Sequence, residues 1–389
     1  MKSRIGLFLI SRGADGGVFQ YSQAVLTAAA ALPRDRFDVL GACGSHEWAQ
    51  LAREHGIPTV PLRLGIWKYL SFRMVCRFLP ISLWRKLAPS LNPIVHRISR
   101  CACDLWIFPA QDTWAYLLPV PSLGTIHDLM HRYEARFPEV SAHGEYGKRE
   151  AHFRNTCRWT RAVLVDSQTG KRHVAESYGL NPSEIYVLPY VPPKIPPAGT
   201  AEDAANPAAR LPRKYFLYPA QFWEHKNHKA LVRAAALLTE EMPDLKVVFT
   251  GTPKNAYAST IDLIEKLKMK EHFEFLGYVP QIHMPELYRR ARALIMPTFF
   301  GPTNIPPLEA AAVGCPAAVS DIYGMREQMG DGALYFNPSA PAEIAQVMQS
   351  LWQSDDASIE KFSKNSFFAP ARMGRDIQHG RCNRTGMEY

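Results

Sequence analysis

Two sets of short apolar runs, each alternating with helical stretches, flank one aperiodic, proline-rich segment, and few folds accommodate that arrangement. The first set is IGLFLI, FDVLGAC, LWIFPA, LGTIHD, AVLVDS and IYVLPY; the second is YFLYPA, KVVFTG, FEFLGYV, ALIMPT, AAVS and ALYFNP. Such runs read as buried strands. Stretches such as HKALVRAAALLTEEM and MPELYRRARA between them read as helices. Strand and helix in alternation build parallel, doubly wound sheets, because a parallel crossover needs a covering helix. The separating segment PYVPPKIPPAGTAEDAANPAARLP lacks any period and reads as a linker. The 389 residues also exceed the size, roughly 250–300 residues, at which one core stops growing. The expected fold class is therefore α/β with two sheets: residues 1–190, a linker at 191–212, residues 213–365, and a tail at 366–389. That tail carries proline, glycines and no apolar stripe, so its order is left open.

Composition narrows the compartment. The N-terminal apolar run, Ile5 to Ile10, is too short for a signal peptide core or a membrane span, and no apolar stretch of spanning length occurs elsewhere. The expected location is cytoplasmic, with any membrane contact peripheral and at the inner face. The seven cysteines have no Cys-x-x-Cys spacing, which argues for free thiols and against zinc. The net charge of +9 is uneven: no acidic residue lies between Glu54 and Asp104, where eight lysines and arginines interleave with Trp67, Tyr69, Phe72, Phe78 and Trp84. Residues 55–103 therefore suit an anionic membrane surface or an anionic acceptor; a helical pair with a solvated cationic face is the alternative. No nucleic-acid module accompanies the charge, so nucleic acid is not an expected partner.

Four segments carry chemistry. In GPTNIPPLE, residues 301–309, an apolar run ends in Gly301 and a polar loop, and Pro306–Pro307 open a helix. Such a junction aims amides and the positive dipole end at an anion, with Glu309 expected in the first helical turn. Near the N-terminus, Gly16 and Gly17 precede a helix, where glycine permits close backbone approach to a phosphate or sugar, or simply makes a tight turn. His127 and Asp128 end the run GTIHD, at a strand end that faces the ligand crevice in open α/β sheets. Lys226 precedes a helix beginning near His228, where a lysine opposes the dipole unless an anion is bound.

Together these segments resemble the retaining glycosyltransferases of the GT-B type, family 4 (glycosyl transferases group 1). The resemblance runs from about residue 5 to 350 and rests on Gly16–Gly17, His127–Asp128, VDSQTGKRHVAESYGL, the HKN around Lys226, FTG at Gly251, LGYVPQIHMPELYRRARALIMPT and IPPLEAAAVGCPAAVSD. It implies two Rossmann-like domains facing each other across a cleft, the first binding the acceptor and the second the nucleotide sugar. By the same resemblance Lys226 binds the donor diphosphate, Glu309 the ribose hydroxyls, and the amides of Asn304 and Ile305 the phosphates or sugar. His127 contacts the transferred sugar near the reacting carbon, so His127, Lys226 and Glu309 are the expected catalytic residues. The donor-binding set adds Gly16, Gly17, Gln221, Gly251, Gly301 and Thr303. Two departures stand out. Gly301 occupies the position of the first of the family's paired glutamates, with Thr303 and Asn304 nearest to replace it, and Gln221 stands about where an arginine is usual.

The activity so implied is transfer of a hexose from a GDP- or UDP-linked sugar to a glycan or lipid-linked acceptor with retention of configuration. A mannosyl-type transfer in surface polysaccharide or lipopolysaccharide synthesis is favoured. The nucleotide sugar is a substrate; no cofactor and no metal are expected. The alternative is a catalytically weak relative that binds a sugar nucleotide or glycan.

Overall fold

The computed structural model describes residues 2–13, 16–62, 79–190, 206–355, 357 and 359. The tail at 366–389, linker residues 191–205 and the aromatic-basic stretch 63–78 lie outside that set. Among the described residues thirteen strands form: β1 Ser3–Leu9, β2 Phe37–Cys43, β3 Thr59–Pro61, β4 Leu105–Phe108, β5 Ser122–Thr125, β6 Ala162–Val165, β7 Ile185–Val187, β8 Phe216–Pro219, β9 Val247–Thr250, β10 Phe273–Phe275, β11 Ala293–Met296, β12 Ala317–Ser320 and β13 Leu334–Phe336. They make two parallel sheets, ordered β3-β2-β1-β4-β5-β6-β7 and β10-β9-β8-β11-β12-β13.

Every apolar run of the sequence lies on one of these strands; β3 has no such run. It is three residues long, sits at the sheet edge and ends in Pro61, which has no N–H for a further ladder bond. Covered faces explain why the central strands read as unbroken apolar stretches: β9 and β11 are buried at every residue. On β1 the pleat divides the side chains. Phe8 enters a cluster with Trp84, Trp106 and Phe108, whereas Leu7 and Leu9 enter one with Tyr21, Val25 and Trp48.

The chain divides into two compact units, residues 1–129 with 146–190, and residues 130–145 with 191–389. The segment 130–145 therefore packs with the second unit although its sequence neighbours on both sides belong to the first. Phe137 lies 5.6 Å from the Phe299 ring, and Glu139 accepts hydrogen bonds from the His225 backbone (3.1 Å) and ring (2.5 Å) and from Asn255 (3.0 Å). Burial alone would raise the Glu139 carboxyl; the donors from His225 and Asn255 outweigh it and leave it at about 2.

In each sheet the strand order reverses once, between β1 and β4 and between β8 and β11. Crevices form beyond the carboxyl ends of strands at such reversals, because the connecting loops there leave in opposite directions. In the second sheet the β8 loop is packed hard on the β9 end. A Cβ on Gly251 (φ +125°) would overlap the Ala220 carbonyl and stand 2.8 Å from the Gln221 nitrogen, all backbone that cannot rotate away. Gly251→Ala is expected to cost about 2–4 kcal/mol, from positive-φ strain plus backbone overlap. The check is a lowered denaturant midpoint of unfolding with unchanged slope.

Candidate donor-binding site

The reversal in the second sheet carries most of the residues singled out from sequence. The loop after β8 holds Gln221 and Lys226, and the loop after β11 holds Gly301, Thr303 and Asn304, with Ile305 opening the helix Ile305–Ala312. Hydrogen bonds tie the two loops together. The Tyr218 hydroxyl donates to the Lys226 carbonyl (2.6 Å), the Phe299 amide to the His225 carbonyl (2.8 Å), and the left-handed Asn227 donates its carboxamide to the carbonyls of Pro297 (3.0 Å) and Pro338 (2.8 Å). Lys226 is thereby held by its backbone. Its ammonium donates to the Asn304 carboxamide oxygen at 3.3 Å. Gln221 is exposed and accepts from the Trp223 indole at 2.9 Å.

Asn304 is buried and doubly engaged. Its amide donates to the Gln328 carboxamide oxygen at 2.8 Å, while the Gln328 nitrogen donates back to the Asn304 carbonyl. Gln328 grips both sides of one residue's backbone. The amide of Asn304, expected from sequence to be offered to the ligand, is thus committed to Gln328. Pro306 and Pro307 have no N–H at all, so the Ile305 amide is the remaining one in the stretch from Asn304 to Pro307.

Glu309 differs from expectation in place as well as in partners. The helix begins at Ile305, not at the prolines, which puts Glu309 in the second turn and not the first. It is 7% exposed, and its carboxylate accepts from Gln281 (2.9 Å) and from the buried Tyr288 hydroxyl (2.7 Å). Burial and the adjacent carboxylate push the Tyr288 phenol well above its ordinary value, so it stays a donor. Gln281 and Tyr288 lie within the quoted motif but carry no periodic or spacing signal of their own. Gln328 belongs to no motif, and a lone glutamine in MREQM gives sequence reasoning nothing to seize on.

The other predicted residues lie in the first unit. Gly16 (φ +58°) caps the helix Gly17–Ala30, whose Tyr21 meets the His127 ring edge-on at 4.8 Å. The His127 backbone donates to the Gln111 side chain (2.6 Å), and its Nε2 lies 3.2 Å from the Pro109 carbonyl. A carbonyl can only accept, so in the neutral ring Nε2 carries the proton and Nδ1 is an acceptor. Nδ1 is buried with no hydrogen-bond partner among the described residues. Asp128 pairs with Arg149. The glycine-led helix and His127 are thus brought together through Tyr21, at the carboxyl ends of β1, β4 and β5.

A sheet pair of this order fits Anabaena HepE in complex with UDP and glucose, with a TM-score of 0.66 over 97% of this chain and 100% of that one at 15% identity. The fold is GT-B. Residues 200–367, spanning the second sheet of this GT-B chain, match the family described as glycosyl transferases group 1. Among curated relatives, the O-antigen chain mannosyltransferase RfbU of Salmonella typhimurium is 28% identical over 206 residues, 52% of this chain and 53% of the relative. The O-antigen chain mannosyltransferase B of Escherichia coli is 30% identical over 139 residues, 35% of this chain and 36% of the relative. The chain thus matches about half or less of the length of these relatives.

Burial holds the His127 imidazole down at about 4, with the nearby Asp128 and the Pro109 carbonyl only partly opposing. In the unfolded chain the same ring titrates near 6.5, as histidine ordinarily does. The unfolded state therefore takes up the proton first as pH falls. The stability due to the neutral ring is complete above about pH 6.5 and is lost progressively towards pH 4, by about 3 kcal/mol. His127→Gln is expected to flatten the pH dependence of the unfolding free energy across that window by close to one proton.

Proposed function

We propose that this chain transfers a hexose, favoured as mannose, from a GDP- or UDP-linked donor to a hydroxyl of a glycan or lipid-linked acceptor, in surface polysaccharide or lipopolysaccharide synthesis. The observation that carries the reading is Lys226, held by its backbone at the β8–β11 reversal and aimed at the loop before a helix, inside the segment that matches glycosyl transferases group 1. The O-antigen mannosyltransferases among its relatives supply the favoured sugar and process.

Departure of a nucleoside diphosphate places negative charge on its oxygens. Lys226, the Ile305 amide and the dipole of the helix Ile305–Ala312 are fixed positive features for that charge, and fixed features stabilise a developing charge without reorganisation. The reading invokes no metal or cofactor. Glu309 takes the ribose hydroxyls: a carboxylate has about four acceptor sites, so Gln281 and Tyr288 as donors are compatible with further bonds. In the first unit, His127 Nδ1 accepts from a sugar hydroxyl, a role open only to the neutral ring. With the leaving oxygen receiving the acceptor proton on the face of departure, the anomeric configuration is retained. The test is nucleoside diphosphate release from a panel including GDP-mannose and UDP-glucose. Release is expected from one donor, and Lys226→Ala is expected to lower turnover by about 10²-fold without loss of thermal stability. Binding of sugar nucleotides with no release from any would replace the transferase reading with the binding-protein one.

The acceptor side is proposed to work at the cytoplasmic face of an anionic membrane. Among the described residues no helix is long and apolar enough to cross a bilayer. The helix Ile81–Leu91, however, presents Leu83, Leu87 and Leu91 on successive turns at 41%, 41% and 65% exposure, beside exposed Lys86. Apolar anchors next to cations suit an interface of lipid headgroups. Sedimentation with anionic vesicles is expected to weaken as salt rises, and Leu87→Glu to reduce binding by about tenfold, the worth of one buried leucine. Binding that ignores salt, or no binding, would remove the membrane from the account.

A further inference from the structure

The backbone at Gly301 has a φ of +134°, and a Cβ built there would overlap the Asn304 side chain, standing 2.9 Å from its oxygen and 3.0 Å from its carboxamide carbon. The Asn304 carboxamide therefore occupies the volume that a side chain at 301 would need. It is fixed there from three directions. Its nitrogen donates to the Gly301 carbonyl (3.2 Å), its oxygen accepts from the Lys226 ammonium (3.3 Å), and its backbone is gripped on both sides by Gln328. A lysine side chain has several rotatable bonds, and holding its charge in one place costs conformational entropy unless a partner defines the place.

We propose that Asn304 is a positioning residue for Lys226: seated in the space left by glycine at 301 and locked by Gln328, its carboxamide sets the ammonium where an incoming diphosphate meets it. The inference rests on the reading of this loop as the site of a nucleoside diphosphate. A neutral carboxamide suits the task because it accepts from the ammonium without cancelling its charge or repelling phosphate. An aspartate in the same shape would do both. Glycine at 301 and asparagine at 304 are on this account one device, since any side chain at 301 evicts the carboxamide from its seat.

The experiment measures the affinity of UDP and GDP alone, by calorimetry at fixed salt, for the full chain and four variants. Asn304→Ala is expected to weaken the better nucleotide by about tenfold, the worth of one hydrogen bond to a charged group. Asn304→Asp preserves shape and is expected to weaken it further, since the carboxylate pairs with Lys226 and faces the phosphates. In the Lys226→Ala background, Asn304→Ala is expected to have almost no additional effect, because its action runs through the ammonium. Equal losses from Asn304→Ala with and without Lys226 would overturn the inference while leaving the nucleotide site standing. So would wild-type affinity in Asn304→Asp. A wild-type chain that binds neither nucleotide would overturn both the inference and the reading on which it rests.

Discussion

Parallel pairing of β8 with β11 is the constraint from which the candidate site follows. Because β9 and β10 are added on one side and β12 and β13 on the other, the loops leaving β8 and β11 stand beside each other at the carboxyl ends of adjacent strands where the order reverses. Asn227, in a left-handed conformation, and Thr298 bridge them through main-chain carbonyls, so the position of Lys226 is fixed by the sheet and not by its own helix. Hydrogen bonds to backbone carbonyls are well suited to this, since any later change of side chain leaves the acceptors in place.

The strands were legible because covered faces make buried strands read as apolar runs. The segment 130–145 was not. Its apolar residues, Met130, Phe137 and Val140, are too sparse for a period, and their partner Phe300 lies far along the chain. The candidate site was legible only where chemistry sits in a local pattern. Lys226 and Glu309 stand in motifs, and His127 stands at a strand end. What positions them is long-range: Gln328 for Asn304, Gln111 and Pro109 for His127, Tyr288 for Glu309. A hydrogen bond across tens of residues leaves no periodic trace.

The buried polar groups of the candidate site residues differ in how they are partnered, Glu309 and Asn304 in the second unit against His127 in the first. In the second, Glu309 and Asn304 are buried with donors and acceptors matched, which keeps the low-dielectric penalty small. In the first, His127 Nδ1 is buried with its hydrogen-bonding capacity unused among the described residues. A buried acceptor without a donor is costly, and a ligand hydroxyl that supplies the donor recovers that cost on binding.

The paired prolines at 306 and 307 thin out the hydrogen-bond donors at the start of the helix Ile305–Ala312 without removing its dipole. Hydrogen bonds hold an anion at fixed angles, whereas the field of a dipole and an ammonium falls away smoothly with distance. On the proposed reading, an anion at this helix start is held by charge more than by the angles of hydrogen bonds.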